Sequence, residues 1–125
     1  MNVMMNIDAM SGLVTFTVSG TVTSEGIIEA LQDMLADRNF KKGASTIWDF
    51  RDADSSELAT MDVRRIAAYM DRIRAWRGDG YKVAFVVARD ADFGLARVYE
   101  GYAASFPFEI MVFRSMDEAL SWVQT

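Results

Sequence analysis

Arginines close three of the chain's apolar runs, and guanidinium groups so placed could hold an anion. Arg51-Asp52-Ala53-Asp54 follows Thr46-Ile47-Trp48-Asp49-Phe50, and Arg89-Asp90-Ala91-Asp92 follows Val83 to Ala88. A looser copy, Arg114-Ser115-Met116-Asp117, follows Ile110 to Phe113. Each reads as a strand running into a turn that leads to a helix. In open α/β sheets ligands bind beyond the carboxyl ends of the strands, so Arg51, Arg89 and Arg114 are expected on that edge with Asp49 close by. Bidentate bonds to a carboxylate or phosphate are the chemistry such a cluster could do. The competing arrangement pairs each arginine with a nearby aspartate, and Asp52, Asp54, Asp90, Asp92 and Asp117 outnumber the arginines.

Other reactive types are few. Histidine and cysteine are absent, which removes disulfides, thiol chemistry, the commonest general base and zinc sites with nitrogen or sulfur ligands. Asp49, Asp52 and Asp54 could serve as an acid/base pair or a magnesium site, but no complementary base or nucleophile accompanies them. Trp48 and Phe50 point to the face opposite Asp49, and an aspartate buried in this way is expected to have a raised pKa. Ser55 and Ser56 follow the first Arg-Asp-Ala-Asp copy. A phosphate on either would place nearly two negative charges ahead of a helix. No enzyme activity, metal site or cofactor is read from these residues.

The elements that must position these groups come from periodicity. Val3–Ala9 and Leu13–Ser19 form a hairpin, with Val14, Phe16 and Val18 on one face. Thr23 or Ser24 caps a helix carrying Ile27, Ile28, Leu31, Met34 and Leu35. Ile47–Phe50 is a strand and Asp52–Ala59 a loop. Thr60 caps a second helix with Val63, Ile66, Ala67, Met70 and Ile73 inward; Gly78-Asp79-Gly80 ends it. Tyr81–Ala88 is apolar on both faces, as a central parallel strand is. Asp92 caps a third helix, Glu109–Phe113 is the last strand, and Ser115 with Glu118 opens a terminal helix. The order β-β-α-β-α-β-α-β-α predicts a single α/β domain over residues 1–125, with an N-terminal β-hairpin, successive βα units and a mainly parallel five-stranded sheet.

Two surfaces stand out. The third helix and its exit carry Phe93, Leu95, Tyr99, Tyr102, Phe106 and Phe108. These suit core packing and a homodimer face, or a helix covering an apolar pocket lined partly by the chain's methionines. The second helix and its exit carry Arg64, Arg65, Arg72, Arg74 and Arg77 against Asp62 and Asp71, a solvated face or one that meets anionic lipid or an acidic partner. A net charge of -5 argues against nucleic acid as partner. No apolar run approaches the ~18 residues of a membrane span, and no signal peptide is read, so a cytoplasmic location is expected.

The element order, with Trp48-Asp49-Phe50-Arg51-Asp52-Ala53-Asp54 and Phe93-Gly94-Leu95-Ala96-Arg97-Val98-Tyr99-Glu100, resembles the SpoIIAA-like, STAS-type family over nearly the whole chain. The resemblance implies a mixed sheet wrapped by βα units and no enzyme activity. It also implies two classes of function. One is a carrier of small apolar molecules that approaches membranes. The other is an anti-sigma-factor antagonist, in which a kinase phosphorylates a serine of Asp-Ser-Ser-Gly to switch a protein partner. Asp54-Ser55-Ser56 matches that motif, and Glu57 stands in place of its glycine. The favoured expectation is a non-enzymatic module binding a small apolar or amphipathic, lipid-like ligand at Phe93, Leu95, Tyr99, Tyr102 and Phe106, with peripheral membrane contact. The alternative is a partner-switching regulator controlled at Ser55 or Ser56.

Overall fold

Alternation of apolar residues builds the hairpin that starts the sheet. In a computed structural model describing residues 1–125, β1 (Asn2–Ile7) pairs antiparallel with β2 (Val14–Thr21). Val14, Phe16 and Val18 are fully buried, while Asn2, Met4, Asn6 and Thr17 face solvent on the other side. The chain then steps one strand at a time in one direction through β3 (Thr46–Asp54), β4 (Lys82–Val86) and β5 (Glu109–Phe113), all parallel to β2. Right-handed crossovers repeated in one direction must lay their helices on one face. That face carries α1 (Ser24–Ala36), α2 (Thr60–Arg72) with the single turn α3 (Arg74–Arg77), and α4 (Asp90–Tyr102), with α2 between the other two. The last helix, α5 (Met116–Val123), is not a crossover and covers β3, β4 and β5 from the opposite face.

The predicted fold class is the one observed: a five-stranded mixed sheet in order β1-β2-β3-β4-β5. The larger core lies under α1, α2 and α4, around Phe16, Trp48, Leu31 and Met34. A smaller one joins Ile47, Ala84 and Val86 to Ala119 of α5. No helix is long and apolar enough to cross a membrane.

Local details depart from expectation where pairing or packing overrides local pattern. Asp52 to Asp54 continue strand β3 instead of opening a loop, because β2 extends to Thr21 and pairs with them past an irregularity between Thr17 and Ser19. The two Arg-Asp-Ala-Asp words therefore differ in conformation: the second runs directly into α4, which starts at Asp90. Neither Thr60 nor Asp92 is an N-cap. Ala59 and Arg89 hold those positions, and the Asp62 carboxylate accepts from the Ala59 N–H at 2.9 Å. Thr23 does cap α1, accepting from Gly26 N–H at 3.0 Å, and Ser115 caps α5 at 3.3 Å.

Candidate functional site

Aromatic residues at alternate positions of neighbouring strands make a continuous floor. Register places Phe16 beside Trp48 and Trp48 beside Phe85. Phe16 stacks on Trp48 with ring centroids 3.9 Å apart; Trp48 lies 5.9 Å from Phe50, and Phe50 6.0 Å from Phe85. Tyr99 of α4 meets Phe85 edge-on at 5.7 Å. Offset and edge contacts of this kind hold rings in fixed positions.

Above this floor the helices do not close completely. They leave a cavity of about 100 Å³ with 20 lining residues, 16 of them hydrophobic. Ile27 and Leu31 of α1, and Val63, Ile66 and Met70 of α2, form one wall. Leu95, Ala96 and Tyr99 of α4 form the other, and Leu58 of the β3–α2 loop covers one end. The lining runs along β4 and the residue after it, from Val83 to Val87, roughly 13 Å at ~3.3 Å per residue. The lining residues that keep partial exposure are Phe50, Ser55, Leu58, Ile66, Phe85 and Leu95, and they mark the mouth between the β3–α2 loop, α2 and α4.

The polar groups sit at the two ends and differ in kind. At the carboxyl end of the strands, Asp92 is buried but well partnered. It accepts from the Ser55 hydroxyl and from Arg89 Nε at 3.3 Å, and Arg89 also donates to the Ala53 carbonyl. At the amino end stands Arg77, 1% exposed, with none of its three guanidinium nitrogens hydrogen-bonded. Its guanidinium carbon lies 3.5 Å from the centre of the Tyr81 ring and 5.6 Å from that of Phe40. Burial pulls its pKa down to about 10, which leaves it charged at neutral pH. Burial likewise pushes the Tyr81 hydroxyl up to about 12 and the Tyr99 hydroxyl higher still.

Of the aromatic-helix residues named from sequence, Leu95 and Tyr99 line the cavity and Phe93, Tyr102 and Phe106 do not. Phe93 packs near the guanidinium groups of Arg97 and Arg114, Tyr102 is exposed, and Phe106 lies 5.8 Å from Phe108. The expected cluster of strand-end arginines does not form one anion site. Arg51 binds Asp49 through two bonds of 2.9 Å, Arg89 goes to Asp92, and Arg114 bonds to Asp90 and the Ala88 carbonyl. Asp49 is buried as expected, but its pKa moves the other way. The Arg51 hydrogen bonds outweigh burial and hold its carboxyl below the usual range. Ser55 is half-buried at the mouth, and Ser56 is exposed with its N–H on Asp54. No group of three or more acidic side chains is arranged to hold a metal ion.

Sequence reasoning missed the strand-borne floor and Arg77. The floor had a signal, since aromatics at 48, 50 and 85 share one face of the sheet by period two. So did Arg77: it follows Met70 by one heptad and Val63 by two, in phase with the buried stripe. Its charge placed it with the exposed arginines instead.

No protein-family model matches the sequence, and no curated protein does. Among solved structures the fold is similar to that of an uncharacterized protein of the DUF3478 family with a SpoIIAA-like fold, from Shewanella loihica PV-4. The TM-score is 0.61 at 17% identity, over 98% of this chain and 92% of the other. At that identity the likeness is one of fold, and the fold is SpoIIAA-like.

Proposed function

We propose that this protein is a non-enzymatic binding domain that holds a small apolar or amphipathic molecule between α4 and the aromatic sheet floor. The cavity carries this reading. At about 100 Å³ it is of the same order as an engineered ~150 Å³ cavity that accepts benzene, and nearly all its lining is apolar. Exposed Trp76, at 66%, with the exposed Arg72 and Arg74 supports peripheral contact with an anionic membrane surface, at the end of the fold opposite the mouth. Trp48 on the floor provides a reporter. Titration with small apolar compounds is expected to shift its emission, read with Trp76 and Trp122 replaced by Phe, and to raise the melting temperature. Apolar compounds that produce neither change would overturn the reading.

A partner-switching role has one observation in its favour, the exposed hydroxyl of Ser56 ahead of α2. A phosphate on Ser55 would instead face the buried Asp92 carboxylate. Pull-downs with Ser56→Asp and the wild type test this role, and identical partner sets would remove it.

A further inference from the structure

The guanidinium of Arg77 is the chain's single case of buried side-chain nitrogens without hydrogen-bond partners. Leaving a buried polar group unpaired costs more than a hydrogen bond returns, and native proteins seldom accept that cost without use. Arg51, Arg65, Arg74, Arg89 and Arg114 all reach a carboxylate, and the arginines that reach none, Arg38, Arg64, Arg72 and Arg97, are exposed; Arg77 is buried and reaches none. Nor is it a packing accident at the periphery, because it borders the cavity at its closed end.

Its orientation narrows the chemistry. The face of the guanidinium is taken up by the Tyr81 ring at 3.5 Å. A stacked guanidinium keeps its N–H groups in its own plane, where a planar carboxylate can accept two parallel bonds; the three nitrogens are sealed from the cavity, so an entering carboxylate must displace neighbouring side chains to reach them. No acidic side chain lines this end; Asp92, the only carboxylate in the lining, is held at the opposite end by Ser55 and Arg89. The geometry points to Arg77 as the anchor for the carboxylate of an amphipathic monocarboxylic acid, whose apolar body lies along Trp48, Phe50 and Phe85 with its far end toward the mouth. This rests on the cavity being a ligand site and adds the ligand's chemical class. A neutral molecule of the same shape would leave the guanidinium unpaired, so the site should discriminate strongly by head group. Tyr99, buried and kept neutral, lines the same cavity.

Shape-matched pairs separate the two readings: hexanoate against hexanol, and benzoate against benzyl alcohol, followed by Trp48 emission and calorimetry at neutral pH. The wild type is expected to bind each acid at least about tenfold more tightly than its alcohol, the scale of a charge-assisted bond in a dry site. Arg77→Met should abolish that preference while still binding the alcohols, and Arg77→Lys should restore only part of it. Equal binding of acid and alcohol by the wild type overturns the Arg77 assignment and leaves the apolar site standing. Failure of all four compounds to bind overturns both. Because the acid–alcohol comparison is made first on the wild type, the result does not depend on any variant folding.

Discussion

At neutral pH the Arg77 guanidinium is charged, dry and bonded to nothing, and its energetics follow from those facts. Taking a cation out of water costs several kcal/mol, and stacking on Tyr81 recovers only about 2 of them. Arg77→Met keeps an unbranched, flexible side chain of shorter reach and removes the charge. The ligand-free variant is expected to be more stable than the wild type by about 1–2 kcal/mol, read as a rise of several degrees in melting temperature. A clear fall would mean that the guanidinium is satisfied after all. Asp49 illustrates the opposite case, a buried carboxylate fully engaged by Arg51 at 2.9 Å. Its folded pKa lies below the unfolded value, so the unfolded chain binds more protons as pH falls. The stability it contributes is present above the ordinary carboxylate pKa of 3.8 and is lost on acidification through its lower folded value. Arg51 is nearly half exposed, so the contribution is modest, about 1 kcal/mol. Asp49→Asn should lower stability by that amount at neutral pH and by much less near pH 2.5, as urea denaturation at the two values would show.

Two loops that meet at the amino end of the sheet fix the position of Arg77. Gly43 donates its N–H to the Arg77 carbonyl at 2.8 Å, and Gly78 follows with φ +96°. A Cβ on Gly78 would lie 2.6 Å from Gly43 N and 2.9 Å from Gly43 Cα, both backbone atoms with nowhere to go. Gly78→Ala is therefore expected to cost about 2–3 kcal/mol, lower the melting temperature by about 10 °C, and loosen hydrogen exchange from Arg77 to Tyr81. Unchanged stability would show that the two loops do not interlock. Elements of this kind were only partly legible in the chain. The helical stripes, the alternation in β2 and the Ser115 cap were plain, because local periodicity and capping chemistry dictate them. The extension of β3 through Arg51-Asp52-Ala53 was not, because its pairing partner in β2 lies some thirty residues earlier. The candidate site was half visible for the same reason. Leu95 and Tyr99 advertise an apolar helix face, whereas the mouth depends on Ser55 finding Asp92 across the sheet edge, a contact that local pattern cannot show.

At the scale of the whole molecule the cavity is a stability deficit. At about 24 cal/mol per Å³, 100 Å³ of unfilled space corresponds to roughly 2 kcal/mol, and a domain has only about 5–15 in total. Together with the bare guanidinium, this chain forgoes several kcal/mol in one region that core packing could have recovered. Stability and occupancy should then trade against each other across the same wall. Ala96, on α4 and 8% exposed, is the smallest side chain of that helix lining the cavity. Ala96→Leu adds volume where space exists and leaves the floor residues and Arg77 unsubstituted. In the absence of ligand it should raise the melting temperature by a few degrees, about 1 kcal/mol. In the presence of a carboxylic acid at a hundredfold excess over its dissociation constant, the wild type should gain about 2.7 kcal/mol and the variant almost none. The order of the two melting temperatures would therefore reverse on adding ligand. A cavity that is only loose packing predicts that the variant stays ahead under both conditions, and a cavity already filled by motion of α4 predicts that the larger side chain destabilises from the start.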